Sequence, residues 1–235
     1  MLPLLLLTAA WVQRGDDITP TSNGPGGLGG YLDLSSDGTT LAITVIAGHG
    51  RASVLRWNGT EWAPRGDDFV GDSESRVDTV SLNANGSVLA VGSAMLPGHV
   101  RVFDWDAGWV QRGDSFAQSG PFLAISDDGD VLAIGTLSPV APVRVYSWSH
   151  GDWAQRGDDL PGPAGTNVAL SGDGNVVALS NLVFLWNGTA WAHLGAFQHF
   201  SIVHSLALSA DGHTLAMGNR IYNNVRVFDW MDAWT

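Results

Sequence analysis

Leu206-Ala207-Leu208-Ser209-Ala210-Asp211-Gly212, followed by Leu215-Ala216-Met217 and then Val225-Arg226-Val227-Phe228-Asp229-Trp230, is the stretch that decides the fold. It reads as three short apolar strands separated by polar turns. The same text recurs four more times. Its first strand reappears as Leu32-Asp33-Leu34-Ser35, Val80-Ser81-Leu82-Asn83, Leu123-Ala124-Ile125-Ser126 and Val168-Ala169-Leu170-Ser171. The turn glycines are Gly38, Gly86, Gly129, Gly174 and Gly212. The second strand recurs as Leu41-Ala42-Ile43, Leu89-Ala90-Val91, Leu132-Ala133-Ile134 and Val177-Ala178-Leu179. Each third strand ends in a tryptophan: Trp57, Trp105, Trp148, Trp186 and Trp230.

A second tryptophan follows a few residues later, at Trp62, Trp109, Trp153, Trp191 and Trp234. It opens a fourth strand that runs into Arg-Gly-Asp in three units, at Arg65, Arg112 and Arg156, and decays to Leu194-Gly195 in the fourth. Alternating apolar residues with β-branched side chains, punctuated by Asn-Gly and Asp-Gly, predict hairpins. Four strands per unit of about 40–45 residues predict the blade of a β-propeller. The expected fold is all-β: a five-bladed β-propeller with four antiparallel strands per blade. A spare fourth strand, Trp11-Val12-Gln13-Arg14-Gly15-Asp16, stands near the N-terminus. It is expected to close the ring by pairing with the fifth unit, because closure removes two exposed strand edges. Residues 11–235 then form one domain, and residues 1–10, Met1-Leu-Pro-Leu-Leu-Leu-Leu-Thr-Ala-Ala10, read as a leader segment.

Composition narrows the function. The chain has 235 residues, 45% of them hydrophobic and 14% charged, a balance for a packed core and not for disorder. No cysteine is present and all 11 basic residues are arginine, which excludes thiolate, Schiff-base and P-loop lysine chemistry. The net charge of −12 argues against a nucleic-acid partner. No apolar run reaches the length of a transmembrane helix.

The strand motifs resemble those of WD-repeat propellers, and Leu89-Ala-Val-Gly92 and Leu132-Ala-Ile-Gly135 are similar to strands of FG-GAP propellers of the integrin α type. The resemblance spans residues 11–235 and implies a propeller. The Gly-His start of a WD repeat is missing. The calcium loop of the integrin type is missing too; Ser126-Asp127-Asp128-Gly129-Asp130 is too short for it. No cofactor is expected, and calcium is the one open alternative.

The candidate sites each have a plain structural reading. The tryptophans fall at only two repeat positions, which favours packing between blades over sugar stacking. A two-residue Asn58-Gly59 turn would set Trp57 and Trp62 diagonally on one hairpin face. Four Arg-Gly-Asp copies, beginning at Arg14, Arg65, Arg112 and Arg156, at one strand register read as a repeated structural device and not as an adhesion loop. The pairs Asp16-Asp17, Asp67-Asp68 and Asp158-Asp159 point to opposite strand faces and do not converge on a metal. The sequons at Asn58, Asn85 and Asn187 are also ordinary hairpin turns. The residues outside the repeat pattern are Asp33, Asp78, His199 and His204, and they are the candidate ligand-binding positions. No catalytic or metal constellation emerges.

The expectation is a monomeric, non-catalytic protein-binding or adhesion scaffold, secreted or at the cell surface, with a cytoplasmic location as the alternative. Its partner would contact the irregular inter-blade stretches 94–98, 137–142 and 198–203. A carbohydrate-binding lectin is the second reading and a propeller glycoside hydrolase the third.

Overall fold

A computed structural model describes residues 11–19, 27–46, 48–71, 76–93, 98–118, 122–136, 141–162, 167–197, 203–219, 221 and 223–230. They form twenty strands in five antiparallel sheets, with no helix among the described residues. Blade 1 holds β1 (Gly27–Leu34), β2 (Thr40–Ile46), β3 (Arg51–Trp57), β4 (Trp62–Pro64) and β5 (Phe69–Val70). Blade 2 holds β6 (Thr79–Leu82), β7 (Val88–Gly92), β8 (Val100–Trp105) and β9 (Trp109–Gln111). Blade 3 holds β10 (Phe122–Ile125), β11 (Val131–Gly135), β12 (Arg144–Ser149) and β13 (Asp152–Gln155). Blade 4 holds β14 (Val168–Leu170), β15 (Val176–Leu179), β16 (Leu182–Trp186) and β17 (Trp191–Ala196). Blade 5 holds β18 (Ser205–Leu208), β19 (Thr214–Asn219) and β20 (Asn224–Asp229). The fold is a five-bladed β-propeller, with the first strand of every blade lining a common channel.

The turn between first and second strands is built from its own side chains. In blade 1 the Ser35 hydroxyl donates to Asp37, while the Thr40 amide donates back to the Ser35 oxygen. Ser126 with Asp128, Ser171 with Asp173 and Ser209 with Asp211 repeat this, and Asn83 does the same work in blade 2 by accepting from the amides of Ser87 and Val88. These turns also bond to one another across blades. The Ser36 amide donates to Ala84 (2.8 Å), Ala84 to Asp127 (3.2 Å), Asp127 to Gly172 (2.8 Å) and Gly172 to Ala210 (2.7 Å). A backbone hydrogen-bond belt therefore runs from blade 1 to blade 5 around one end of the channel.

The third-to-fourth hairpin sets the tryptophans directly opposite each other: Trp57 with Trp62, Trp105 with Trp109, Trp148 with Trp153 and Trp186 with Trp191. The diagonal arrangement expected for Trp57 and Trp62 is corrected. The loop is four residues long, because the Asn58 carboxamide oxygen accepts from the amides of Thr60 and Glu61 and holds it open. The paired indoles are steeply inclined to each other, at 58–71°, with centroids 5.2–5.6 Å apart.

An arginine from the preceding repeat lies over each of these tryptophan pairs. The guanidinium carbons of Arg14, Arg65, Arg112 and Arg156 sit 4.6, 4.7, 4.6 and 4.8 Å from the rings of Trp57, Trp105, Trp148 and Trp186. Each guanidinium donates to the turn-glycine carbonyl of the blade it reaches: Gly38 (2.7 Å), Gly86 (2.7 Å), Gly129 (3.2 Å) and Gly174 (2.9 Å). In return the indole N–H of Trp62, Trp109, Trp153 and Trp191 donates to the backbone carbonyl of the same arginine. The glycine after each arginine has φ between 74° and 84°, and a Cβ there would come within 2.8–2.9 Å of an indole carbon. Arg-Gly-Asp is thus the staple between blades.

Beyond the staple the fourth strand breaks and resumes. β5 rejoins β3, and Phe116 and Leu160 make the equivalent single bridges to Val100 and Val143. The resuming side chain enters the next blade: Phe69 packs on Phe103 (4.6 Å), Phe116 on Tyr146 (4.5 Å) and Phe197 on Phe228 (4.3 Å). The core is consequently a series of inter-blade layers, such as Ala42, Val54, Val80 and Leu89 between blades 1 and 2.

The predicted closing clasp is also corrected. Among the described residues blade 5 has three strands, and Trp11 and Val12 are exposed instead of pairing with β20. The N-terminal segment keeps only the second half of its repeat role, the docking of Arg14 and Gly15 on Trp57 and Trp62. The flanking faces of blades 1 and 5 leave Leu32, Leu34, Val225 and Val227 exposed.

Two outcomes are expected. Arg112→Met removes a buried guanidinium that also pairs with Asp130 and Asp104. It should cost about 3 kcal/mol in urea unfolding, with Arg112→Lys intermediate, because lysine keeps the charge and loses the planar fork. The second concerns pH. Ser35 and Thr39 hydrogen bonds lower the Asp37 pKa to about 2. A folded pKa below the unfolded value of about 3.9 gives stability that is complete above that value and lost as pH falls through the folded one. The Tm gap between wild type and Asp37→Asn should be full above pH ~4 and close toward pH ~2.

Candidate functional site

The two ends of the channel differ in kind. In an antiparallel four-strand blade, the connections from first to second and from third to fourth strand share one end. The remaining two share the other. The first end carries the repeated Ser-x-Asp-Gly turns, the tryptophan hairpins and the arginine staples. The second end receives the connections between β7 and β8, β11 and β12, and β17 and β18, which hold the stretches of least internal similarity. Those stretches, 94–98, 137–142 and 198–203, fall largely outside the described residues.

The channel is lined by small and apolar residues of all five first strands, among them Ser81, Ala124, Ala169 and Ala207, around a cavity of about 300 Å3. Asp33 is the one carboxylate on these strands. It stands where the other blades place serine or alanine. Its side chain accepts from the amides of Leu82 (2.7 Å) and Leu34 (2.9 Å) and from the Ser81 hydroxyl (3.2 Å). It therefore ties blade 1 to blade 2 from inside the channel. Burial pushes its pKa up, and these three hydrogen bonds pull it partly back. Its ionised form is a liability in the fold, so its contribution to stability is present at low pH and lost as pH rises through its folded pKa.

Asp78 lies at the opposite end, just before β6. It is buried, and Arg76 holds it through Nε and Nη2 at 3.1 Å. Asp33 reaches Ser81 and Leu82, at the far end of the same short strand. The structure does not bring the two carboxylates together. His204 is exposed just before β18, at the same end as Asp78, and lines a shallow cleft of about 340 Å3 with Ser205, Asn219 and Asn223. His199 lies outside the described residues.

The repeated motifs are engaged in structure. Arg65 and Arg112 are buried. The second carboxylate of the Asp pairs returns to its own blade, Asp68 to Arg51 (3.3 Å) and Asp159 to Arg144 (2.8 Å). In the stretch considered for calcium, Asp128 accepts from Ser126 and from the Asp130 amide, and Asp130 pairs with Arg112. Among the described residues no three of His, Asp and Glu converge as a metal site would require. Nor is any helix long and apolar enough to cross a membrane.

The fold has solved relatives in shape. A protein from Lactobacillus plantarum superposes with a TM-score of 0.65 at 20% identity, over 88% of this chain and 69% of its own. A functionally unknown protein from Desulfotomaculum acetoxidans does so with a TM-score of 0.67 at 14% identity, over 87% and 67%. At such identities the likeness concerns the fold alone. No family model and no curated protein matches the sequence.

Sequence reading missed that the tryptophan pairs and Arg-Gly-Asp form one device. Their fixed spacing was the available signal: Arg-Gly-Asp begins three residues after Trp11, Trp62, Trp109 and Trp153. Carboxyl 13C titration of the intact protein should show Asp33 protonating above the ordinary aspartate range and Asp37 below it. Ser81→Ala should raise Asp33 further, because the serine hydroxyl stabilises the carboxylate.

Proposed function

We propose that this propeller is a non-catalytic scaffold that binds a protein partner through the end of the channel bearing its unlike connections. The observation that carries this is the segregation of sequence. Repeated residues build turns, staples and core at one end and along the blades. Variation gathers at the other end, where Asp78 and His204 also lie. Specificity in a repeat protein is placed where its units differ. The separation of Asp33 from Asp78 supports a non-catalytic role, since glycoside cleavage needs two carboxylates flanking one bond. The glycan reading is less favoured, because guanidinium groups already cover a face of Trp57, Trp105, Trp148 and Trp186. Placement outside the cell or at its surface belongs to the same proposal and rests on the apolar run at residues 1–10.

The test replaces residues 94–98, 137–142 and 198–202 with Gly/Ser segments of equal length, leaving the buried Val203 in place. Proximity labelling and crosslinking on intact cells then compare wild type with the variant. The expected result is a specific set of neighbours lost in the variant while Tm stays unchanged. An unchanged set of neighbours would overturn the reading. Reproducible binding of residues 11–235 to one sugar class on a glycan array, with calcium present, would replace it with the lectin reading.

A further inference from the structure

The chain makes one kind of contact four times and carries both halves of a fifth. Between consecutive blades, a valine of the third strand meets the apolar pair of the next first strand. Val54 meets Val80 and Leu82, Val102 meets Leu123 and Ile125, Val145 meets Val168 and Leu170, and Val183 meets Leu206 and Leu208. These four valines are at most 3% exposed. Two positions earlier on the same strands, Ala52, Val100 and Val143 are fully buried.

The two outer flanks repeat these residues without the cover. Val227 aligns with the four valines and is 63% exposed. Val225 aligns with Ala52, Val100 and Val143 and is 72% exposed. Ala216 is half-buried where Ala42, Ala90, Ala133 and Ala178 are fully buried. On blade 1, Leu32 and Leu34 align with Val80 and Leu82 and are 64 and 50% exposed, against 6 and 7%. The flank of blade 5 is thus the outgoing half of a blade contact, and the flank of blade 1 is the incoming half. Blade 1 also holds its incoming staple already, Arg14 on Trp57.

We propose that these flanks bind each other between copies, with blade 5 of one chain docking on blade 1 of the next. Continuity names the occupant. Each flank ends a stack whose internal contacts all join the same residue positions, and a second copy offers the complementary face. Val227 of one copy then lies against Leu32 and Leu34 of the partner subunit, as Val54 lies against Val80 and Leu82. The contact is head to tail, made by two different surfaces, so it propagates until copies close on one another. Burial of the four exposed aliphatic side chains drives it. The flanks are the sides of blades and not the end of the channel, so the assembly is independent of the binding face proposed above.

The experiment is sedimentation velocity of the intact chain from nanomolar to high micromolar concentration, with circular dichroism as the check of fold. Species of two or more chains that grow with concentration are expected. Val227→Asp and Leu34→Asp alter exposed side chains, so both variants should fold. Each should weaken association at least about tenfold, because docking would bury an unpaired carboxylate. Mixed together, the two variants should form a one-to-one dimer and grow no further, since each keeps the flank that the other has lost. The chain has no cysteine, so the double variant Leu34→Cys/Val227→Cys reports which faces meet. Disulfides between chains are expected on oxidation. A single-chain mass at every concentration, association unchanged by either aspartate, or no dimer on mixing would overturn the proposal. So would a disulfide formed within one chain, which would mean that the ring closes on itself. Photocrosslinks from position 227 to a different polypeptide in the source cells would overturn it too.

Discussion

The rest of the structure hangs on a guanidinium laid across a tryptophan pair of the next blade. Blades meet through side chains alone over most of their faces, and flat apolar layers can slide. The staple fixes the register. Its arginine is held by an aromatic face, a turn carbonyl and, at Arg112, two carboxylates. A desolvated cation–π contact adds about 2 kcal/mol, and a hydrogen bond from a charged donor about 1.5–3 kcal/mol. A few such staples rival the roughly 5–15 kcal/mol that separates a whole domain from its unfolded chain. Arginine and not lysine fills each of these staple positions, since only arginine offers a planar fork with weak hydration.

The staple also dictates its neighbours in sequence. The residue after the arginine must lie on the indole pair with positive φ, and only glycine does so without a clash. The chain must then return to its own sheet, which the Asp68–Arg51 and Asp159–Arg144 pairs secure. The next apolar residue is thereby aimed into the adjacent blade, as Phe69, Phe116 and Leu160 are. What reads as an adhesion tripeptide is one turn of packing geometry.

Much of this was legible in the sequence. The turn glycines and paired tryptophans fixed blade count and strand order because each serves a short-range geometric need. Packing of the tryptophans and a structural role for Arg-Gly-Asp were legible from their repetition. What escaped was anything set by a side chain reaching across blades. The hairpin at Asn58 was misjudged because its length depends on a carboxamide accepting from two amides. The clasp was misjudged because pattern identity does not guarantee that residues 11–16 meet β20. The oddity of Asp33 was visible. Its task, capping the Leu82 amide of the adjacent blade, was not, since nothing local to β1 names that partner.

Repeat proteins draw stability from each unit and from its contacts with neighbours, so a missing contact localises weakness. Blade 5 is poorest on both counts. It has three strands among the described residues, exposes Val225 and Val227, and faces Leu194 of blade 4 where the other blades receive an arginine. The belt of turn hydrogen bonds and the Phe197–Phe228 contact hold it in place.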